Sequence, residues 1–390
     1  MLTKEAFFQN GIDVLLADKR ALLRNKNIAL VTNDVAKTNE GIPTRFALQQ
    51  QGFRLKKLFG PEHGLQATGA DGAFQAHGND ALTGLPVISL YSEKLMPSES
   101  DLSDVDVVLY DIPDVGSRFY TYLWTLTYVM EACMQSGKQL VVLDRPNPIG
   151  GDLKKAEGPF LDESCCSSFI GRWRMPIRHS CTTGELALYF AANRMSSLQL
   201  NVIACRGWNR MEDMEDAQLE FVPTSPAIRD LETALLYPGT CLWEGINIQE
   251  GRGTEYAFKQ MGAPWISGEA LCEALNQYGL AGIAFEAIKF IPQSGRFAGT
   301  TCEGIRCSIT DKKTFRPVHS GIVMLQTLAA LYPQHITEAT YPTRANPSGS
   351  GHLDRLLGFS NSFDQILSQK YVDTTIPLWQ QATAAHLLYE

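Results

Sequence analysis

Short apolar runs alternate with longer helical patterns along the first half of the chain. The apolar runs are near-continuous in Val, Ile and Leu, which is typical of parallel strands that are buried on both faces. The predicted strands are Ile28–Thr32, Arg54–Phe59, Pro86–Leu90, Val105–Asp111, Gln139–Leu143 and Leu200–Ala204. The predicted helices between them are Thr44–Gln51, Thr121–Gln135 and Thr183–Asn193. This alternation predicts a doubly wound α/β fold with a mostly parallel sheet.

The alternation weakens after the Pro-rich segment Val222–Pro226. Beyond it the chain has a polar stretch that is dense in glycine, Tyr237–Gly253, and then further helical patterns. These predicted helices are Val318–Leu331, Phe363–Gln369 and Pro377–Tyr389. Because 390 residues are enough for two domains, we expect one domain over residues 1–226 and a second over residues 227–390.

The composition is that of a globular protein, with 44% hydrophobic and 19% charged residues. A formal net charge of −8 argues against a nucleic-acid partner, because such binding requires a basic surface. No apolar run reaches the ~18 residues that a transmembrane helix needs, so we expect no membrane insertion.

The N-terminal segment and the cysteines bear on the cellular compartment. Lys4, Glu5 and Asp13 interrupt the first apolar residues, so the sequence as written lacks a signal peptide and predicts a cytoplasmic protein. A periplasmic or secreted location is expected instead if a leader has been removed. Nine cysteines without CxxC spacing fit a reducing compartment and indicate neither a zinc site nor a thioredoxin motif. We expect no metal site.

Polar turns that contain Gly or Pro follow several of the predicted strands. The turn after the second strand reads FGPEHG and carries Glu62 and His63, which are residue types often used for acid/base catalysis. Asn33 follows the first strand, and Asp111 and Asp114 follow the fourth. Because the carboxyl ends of strands are where ligands bind in an open α/β sheet, we expect these side chains to converge on one edge.

Further clusters combine charged and polar residues. They are Arg118 with Tyr120, Arg178 with His179, and the group Glu244, Asn247, Glu250 and Arg252. An arginine can bind a carboxylate through two parallel hydrogen bonds, so these clusters can recognise an acidic ligand. Structural interpretations stay open: an Asp114–Arg118 ion pair, a buried structural His179, and exposed charges on a turn. Motifs for a dinucleotide, a phosphate loop, a zinc helix and a serine nucleophile elbow are absent from the sequence.

Longer motifs occur together and in a fixed order between roughly residue 10 and residue 390. They are FGPEHGL (Phe59–Leu65), TGLPVISLY (Thr83–Tyr91), DVDVVLYDIPDVGSRFYTY (Asp104–Tyr122), LDRPNPIGG (Leu143–Gly151), EGP (Glu157–Pro159), PIRHSCTTGELA (Pro176–Ala187), YPGTCLWEGINIQEGRGT (Tyr237–Thr254) and GAPW (Gly262–Trp265). In content and order they resemble the DUF1343 family, which is associated with exo-β-N-acetylmuramidases of the NamZ type.

The resemblance implies a Rossmann-like N-terminal domain, a smaller α+β C-terminal domain and an active site between them. It implies a glycosidase that removes N-acetylmuramic acid from the non-reducing ends of peptidoglycan fragments during cell-wall turnover. Its substrate would be a muropeptide or another glycan that contains this sugar, and no cofactor is expected. The alternatives are a non-catalytic binder of cell-wall fragments and an α/β hydrolase of other specificity.

The resemblance also assigns roles. The family's motif glutamate falls on Glu62, the expected general acid, and His63 is expected to share in proton transfer. Asp114 or Glu250 is expected to orient the sugar's 2-acetamido group, which serves as the nucleophile in substrate-assisted glycosidases. Substrate contacts are expected from Asn33, Asp111, Arg118, Tyr120, Arg178, His179, Glu244, Asn247 and Arg252.

The lactyl carboxylate distinguishes N-acetylmuramic acid from N-acetylglucosamine. Arg118, Arg178 or Arg252 is the expected partner of that carboxylate. The chain departs from the family pattern at several positions, among them Gln66, where Arg is usual, and Pro113, where Gln is usual. The stretches Arg178–Thr182 and Glu244–Asn247 also differ from the family's RHGMT and EGTN. Losing the Arg and the Gln is expected to alter sugar contacts rather than the reaction class.

Overall fold

A seven-stranded sheet organises the first half of the chain in a computed structural model that describes residues 8–390. Its strands are β1 (Asn27–Thr32), β2 (Arg54–Gly60), β3 (Gly78–Asn79), β4 (Pro86–Ser89), β5 (Val107–Asp111), β6 (Gln139–Leu143) and β7 (Leu200–Ile203). The order is β3-β4-β2-β1-β5-β6-β7; β3 is antiparallel to β4, and the other pairings are parallel. The predicted mostly parallel α/β sheet is therefore confirmed.

Helices cover both faces of this sheet. They are α1 (Gly11–Val14), α2 (Thr44–Gln50), α3 (Glu99–Leu102), α4 (Thr121–Gln135), α5 (Glu163–Cys166) and α6 (Thr183–Arg194). Successive residues of a strand point to opposite faces, so Ala29 and Val31 of β1 join the apolar cluster of α4 and α6. Ile28 and Leu30 join a second cluster with α1 and α2. Burial on both faces explains why these strands read as unbroken apolar runs.

The second half of the chain is a smaller α+β unit, as expected. Its strands, β8 (Gln260–Ala263), β9 (Ile283–Phe290) and β10 (Cys302–Ile309), form an antiparallel sheet in the order β8-β10-β9. Its helices are α7 (Leu231–Thr240), α8 (Gly268–Gln277), α9 (Pro317–Leu331), α10 (His352–Leu357), α11 (Ser362–Leu367) and α12 (Pro377–Thr383). The last helices are predicted from the sequence, but the three strands are not.

Two glycines let α7 and α9 cross at close range. A Cβ atom on Gly239 would lie 1.9 Å from the carbonyl oxygen of Pro317, and one on Gly321 would lie 2.4 Å from that of Gly239. Real side chains do not tolerate such distances, so both positions require glycine. The crossing fixes the end of α7 and the 3-10 turn Cys241–Gly245 that follows it. This turn carries Glu244 into the candidate site.

Buried polar contacts join the two halves of the chain. The Glu157 carboxylate accepts the backbone N–H groups of Val318 and His319, at 3.3 and 3.2 Å, at the start of α9. A negative charge is favourable at a helix N-terminus. Near the C-terminus, the hydroxyl of Tyr389 donates to Asp144 at 2.6 Å, just after β6. The second half is therefore tied to the carboxyl edge of the large sheet.

The nine cysteines are free thiols, and all of them except Cys165 are buried. They behave as small apolar core residues, as expected from their spacing. Within residues 8–390, none of the helices combines the length and the apolar character needed to cross a bilayer.

Candidate active site

A cleft lies between the carboxyl edge of the large sheet and the second half of the chain. Its empty volume is about 1030 Å³, including open solvent at the mouth. The first half of the chain contributes polar lining residues that include Glu62, His63, Asp71, Tyr91, Tyr120 and Thr121. The second half contributes Glu244, Arg252, Tyr341, His352 and Arg355, among others. Polar groups that converge in a partly aromatic pocket are typical of a small-molecule site.

Glu62 lies in the turn after β2, and its side chain is 6% exposed. Its Oε1 accepts the backbone N–H of Gly72 at 2.7 Å, and its Oε2 accepts the hydroxyl of Thr121 at 2.6 Å. No Lys, Arg or His nitrogen of residues 8–390 forms an ion pair with this carboxylate within 4.0 Å. Burial, and then the charge of Glu62, raise the pKa of Tyr91, so a neutral phenol stands beside the carboxyl group.

His63 adopts a left-handed backbone conformation, with φ at +65°. Residues other than glycine rarely adopt it, and such strain is concentrated at functional sites. The imidazole Nδ1 lies 2.8 Å from the carbonyl oxygen of Gly69, so Nδ1 carries the hydrogen and donates it. The other nitrogen, Nε2, lies 3.8 Å from Oδ1 of Asp71. The turn therefore places Nε2 of the imidazole near a carboxylate of the cleft.

Arg252 binds carboxylates from both halves of the chain. Its Nε lies 2.7 Å from Oδ2 of Asp71. Its Nη1 lies 2.5 Å from Oε1 of Glu244 and 3.0 Å from Oε1 of Glu250. The positive charge of this guanidinium is thus shared among three carboxylates. Arg252 lines the cleft but does not pair with Glu62, which has no counter-ion among residues 8–390.

Glu244 is held from two sides. Its Oε2 lies 3.1 Å from Nε2 of His352, and the His352 ring stacks on Tyr341 with centroids 4.6 Å apart. Burial alone would raise the pKa of Glu244. The nearby Arg252 and His352 outweigh burial and lower this pKa to about 2. Glu244 is therefore an anion that fixes Arg252 and α10.

Aromatic rings form an apolar wall of the cleft. The ring of Tyr237 lies 5.6 Å from that of Phe119, 6.3 Å from that of Tyr120 and 4.8 Å from that of Phe258. These edge-to-face contacts hold the rings in place. A cleft with one apolar wall and one charged end suits a ligand with an apolar face and polar substituents.

Two family models match the chain in succession. The model described as exo-β-N-acetylmuramidase NamZ, N-terminal, matches residues 28–232, and the corresponding C-terminal model matches residues 235–387. The chain belongs to the NamZ exo-β-N-acetylmuramidase family. It is 35% identical over 388 residues to the peptidoglycan β-N-acetylmuramidase NamZ of Bacillus subtilis (strain 168), covering 99% of this chain and 92% of that protein.

Crystal structures of two DUF1343 family proteins from Bacteroides fragilis NCTC 9343 have the same fold. One has a TM-score of 0.87 at 29% identity, and the other has a TM-score of 0.73 at 25% identity. Each alignment covers 98% of this chain and 99% of the other chain. The predicted family and fold are thereby confirmed.

Five of the residues predicted from sequence line the cleft of this NamZ-family chain. They are Glu62, His63, Tyr120, Glu244 and Arg252. Glu250 is not among the lining residues and is connected to the cleft through Arg252. The structure therefore brings together the FGPEHG turn and the glycine-rich stretch, which lie far apart in sequence.

Asp114 and His179 lie outside the cleft and contact each other. Oδ2 of Asp114 accepts the backbone N–H of Gly116 at 3.0 Å and lies 3.3 Å from Nε2 of His179. His179 is fully buried, and Asp114 borders a second cavity at the sheet edge. Asp114 therefore pairs with His179 and not with Arg118.

Asn33 and Asp111 support the turns at the carboxyl edge of the sheet. Oδ1 of Asn33 accepts the backbone N–H of Val35 at 3.2 Å. Asp111 lies 2.6 Å from Nε of Arg145 and accepts the hydroxyl of Thr44 at 2.5 Å. Both side chains are fully buried, and neither lines the cleft.

Arg118, Arg178 and Asn247 do not line the cleft, and each of them binds backbone carbonyl groups. Arg118 donates to carbonyl oxygens of residues that are distant in sequence, namely Pro159, Met175 and Leu356. Arg178 donates to the carbonyl oxygen of Ile149 at 2.9 Å. Asn247 donates to that of His335 at 2.8 Å. The geometry gives these side chains a supporting position, and their predicted substrate contacts stay predictions.

Gln66 and Pro113, two of the departures from the family pattern, also lie outside the cleft. Gln66 is exposed, and Pro113 borders the second cavity together with Asp114. Neither residue lines the space in front of Glu62.

Several cleft residues were missed by the sequence analysis. Asp71 and Thr121 carry weak signals, since they stand close to the FGPEHG turn and beside Tyr120 at the start of a predicted helix. Tyr341, His352 and Arg355 have no local signal, because a short C-terminal segment with no distinctive motif brings them to the site. Only the tertiary structure shows that these three residues lie at the site.

Proposed function

We propose that this chain is an exo-β-N-acetylmuramidase that hydrolyses the bond between a non-reducing terminal N-acetylmuramic acid and the rest of a peptidoglycan fragment. The matches to both NamZ models support the reaction class. The observation that carries the chemical assignment is Glu62, a buried carboxyl group that is fixed by two hydrogen bonds and has no counter-ion in the described part of the chain. The cleft carboxylates Asp71 and Glu244 are both bound to Arg252.

Glu62 acts as the general acid in this proposal. In its protonated form it gives the proton to the glycosidic oxygen while the bond from C1 to that oxygen breaks. A water molecule then supplies the hydroxyl group at C1. The remaining proton of that water returns to the Glu62 carboxylate. Gly72 and Thr121 hold the carboxyl group from two different elements, so its orientation is set before substrate binds.

Asp71 takes the role of the second carboxylate, in place of Asp114 and Glu250. Asp114 borders another cavity, and Glu250 does not line the cleft. Asp71 lines the cleft and directly precedes Gly72, whose N–H group holds Glu62. A carboxylate there stabilises the positive charge that develops on the sugar ring and orients the 2-acetamido group.

Each half of the chain contributes one wall in this proposal. Residues 1–226 supply the acid/base turn, and residues 227–390 supply the Arg252–Glu244 pair and α10. We propose these two segments as the domains of the protein. The substrate would lie between them, with its C1 atom near Glu62.

The test compares a natural and an activated substrate. Release of N-acetylmuramic acid is measured from a disaccharide in which this sugar is linked β-1,4 to N-acetylglucosamine, and nitrophenol release is measured from the p-nitrophenyl β-muraminide. Glu62→Gln should lower kcat on the disaccharide by at least about 10²-fold, and less on the aryl glycoside, because nitrophenolate leaves without a proton. Glu269→Gln, on the exposed side of α8, is the matched control.

Two results would contradict the proposal. Equal losses on both substrates would show that Glu62 is not the acid. No release by folded wild-type protein from either substrate would favour a binder of cell-wall fragments.

A further inference from the structure

The positive charges of the cleft are distributed unevenly. Arg252 and Arg355 are the arginines that line it, and no lysine of residues 8–390 does so. Arg252 is already bound to three carboxylates. Arg355 donates one N–H to the carbonyl oxygen of Ser350 at 2.5 Å, and no carboxylate of the described chain lies within 4.0 Å of it. Among the described residues, Arg355 is thus the cleft arginine whose charge has no carboxylate partner.

The helix that carries Arg355 is anchored on both sides of this residue. On one side, His352 of α10 lies 3.1 Å from Glu244. On the other, the carbonyl oxygen of Leu356 accepts a hydrogen bond from Arg118 at 2.6 Å. The backbone of Arg355 is therefore held in place before a ligand arrives. A fixed backbone lowers the entropy cost of binding an anion through a long side chain.

The charge of the ligand must be compensated inside an acidic site. A terminal N-acetylmuramic acid differs from N-acetylglucosamine by a lactyl ether that ends in a carboxylate. Glu62, Asp71 and Glu244 face the same cleft, so an additional anion there would be repelled unless a free cation receives it. Arg355 is the side chain that meets this requirement.

We propose that Arg355 binds the lactyl carboxylate and thereby selects N-acetylmuramic acid over N-acetylglucosamine. The proposal rests on the proposed function and specifies which residue recognises the lactyl group of the substrate. It replaces Arg118 and Arg178, which bind backbone carbonyls and do not line the cleft, and Arg252, whose charge is already shared. The planar guanidinium can bind the carboxylate through two parallel hydrogen bonds.

The experiment measures the activity of each protein variant on each of three substrates. Wild type, Arg355→Gln and Arg355→Lys are assayed on three p-nitrophenyl glycosides: the β-muraminide, its lactyl methyl ester and the β-N-acetylglucosaminide. Arg20→Gln is the matched control, because Arg20 also donates to a backbone carbonyl, that of Gln51, and has no carboxylate partner among the described residues. Thermal unfolding checks that each variant is folded.

The expected result is selective. Arg355→Gln should lower kcat/KM on the muraminide by at least about 30-fold, mainly through KM, and should change the other two substrates little. Arg355→Lys should restore part of the loss, since it keeps the charge but not the planar geometry. Arg20→Gln should match wild type on all three.

The proposal is overturned if Arg355→Gln is folded and retains the wild-type preference for the muraminide over its methyl ester. It is also overturned if the variant loses activity equally on all three glycosides. Failure of the proposed function looks different, because wild-type protein would then release nitrophenol from none of them.

Discussion

Nε of Arg252 lies 2.7 Å from Oδ2 of Asp71, so one ion pair connects the loop that holds Glu62 to the glycine-rich stretch of the second half of the chain. Both side chains are largely buried, at 20% and 28% exposure. Because the same guanidinium also binds Glu244, the relative position of the two cleft walls depends on it.

Arg252→Lys should weaken the ion pairs that connect the two walls of the cleft. A lysine has a single point charge and cannot reach Asp71, Glu244 and Glu250 in the same geometry. We expect the free energy of unfolding to fall by on the order of 3 kcal/mol, together with a lower kcat. Urea unfolding and disaccharide turnover measure the two effects. Arg206→Lys, in an exposed pair with Asp18, should change neither, and equal behaviour of the two variants would contradict the prediction.

Glu244 should make stability fall in acid. Its pKa is lowered to about 2 in the folded protein, from an ordinary value of 4.5. A carboxyl group with a depressed pKa stabilises the fold above its unfolded pKa, and this contribution disappears as the pH falls through the folded value. We expect the contribution to be roughly 3 kcal/mol at neutral pH and to decline below about pH 4.5.

The measurement is urea unfolding of wild type and Glu244→Gln between about pH 7 and pH 3. The stability difference between them should be largest at neutral pH and should shrink in acid. A difference that stays constant over this range would assign the acid sensitivity to another group. Glu269→Gln serves as the control for an exposed glutamate.

Much of the fold was predictable from local patterns. The parallel strands are buried on both faces, and burial leaves continuous Val, Ile and Leu runs such as Val107–Asp111. The small antiparallel sheet was missed because its strands carry weak signals: β9 has several exposed positions, and β10 includes Gly304 and Arg306. Such strands are stabilised by their partners more than by their own composition.

The sequence could predict the cleft residues only where they belong to a local motif. Glu62 and His63 stand in one turn, and Glu244 and Arg252 in one stretch, so residue type and spacing were sufficient. His352 contacts Glu244 across 108 positions, and no local pattern records a contact of that kind. Asp114 shows the limit of local patterns, because it follows β5 at the expected edge of the sheet but borders a different cavity.

Chelation should leave the enzyme unchanged. Within residues 8–390, no group of three or more His, Cys, Asp or Glu side chains is placed to hold a metal ion, whereas zinc and calcium sites need at least about three such ligands. We expect dialysis against EDTA to leave kcat/KM on the muraminide at its starting value. A loss of activity that a divalent cation restores would contradict this prediction and would require a site formed with the substrate.

Arg118 should stabilise the protein and position α10 without touching substrate. Burial lowers the pKa of this arginine to about 9, and no carboxylate of the described residues lies within 4.0 Å of it. Its charge is compensated by hydrogen bonds to carbonyl oxygens, including that of Leu356. Removing the guanidinium would leave these buried acceptors without donors, which we expect to cost on the order of 3 kcal/mol.

The test is Arg118→Met, compared with Arg229→Met, an exposed arginine that donates to the carbonyl oxygen of Pro226. We expect Arg118→Met to unfold at lower urea concentration and, where still folded, to show a higher KM for the muraminide because Arg355 is no longer held. Its kcat should change less than its KM, since Glu62 is untouched. If Arg118 instead bound the substrate directly, stability would stay at the wild-type value while KM rose.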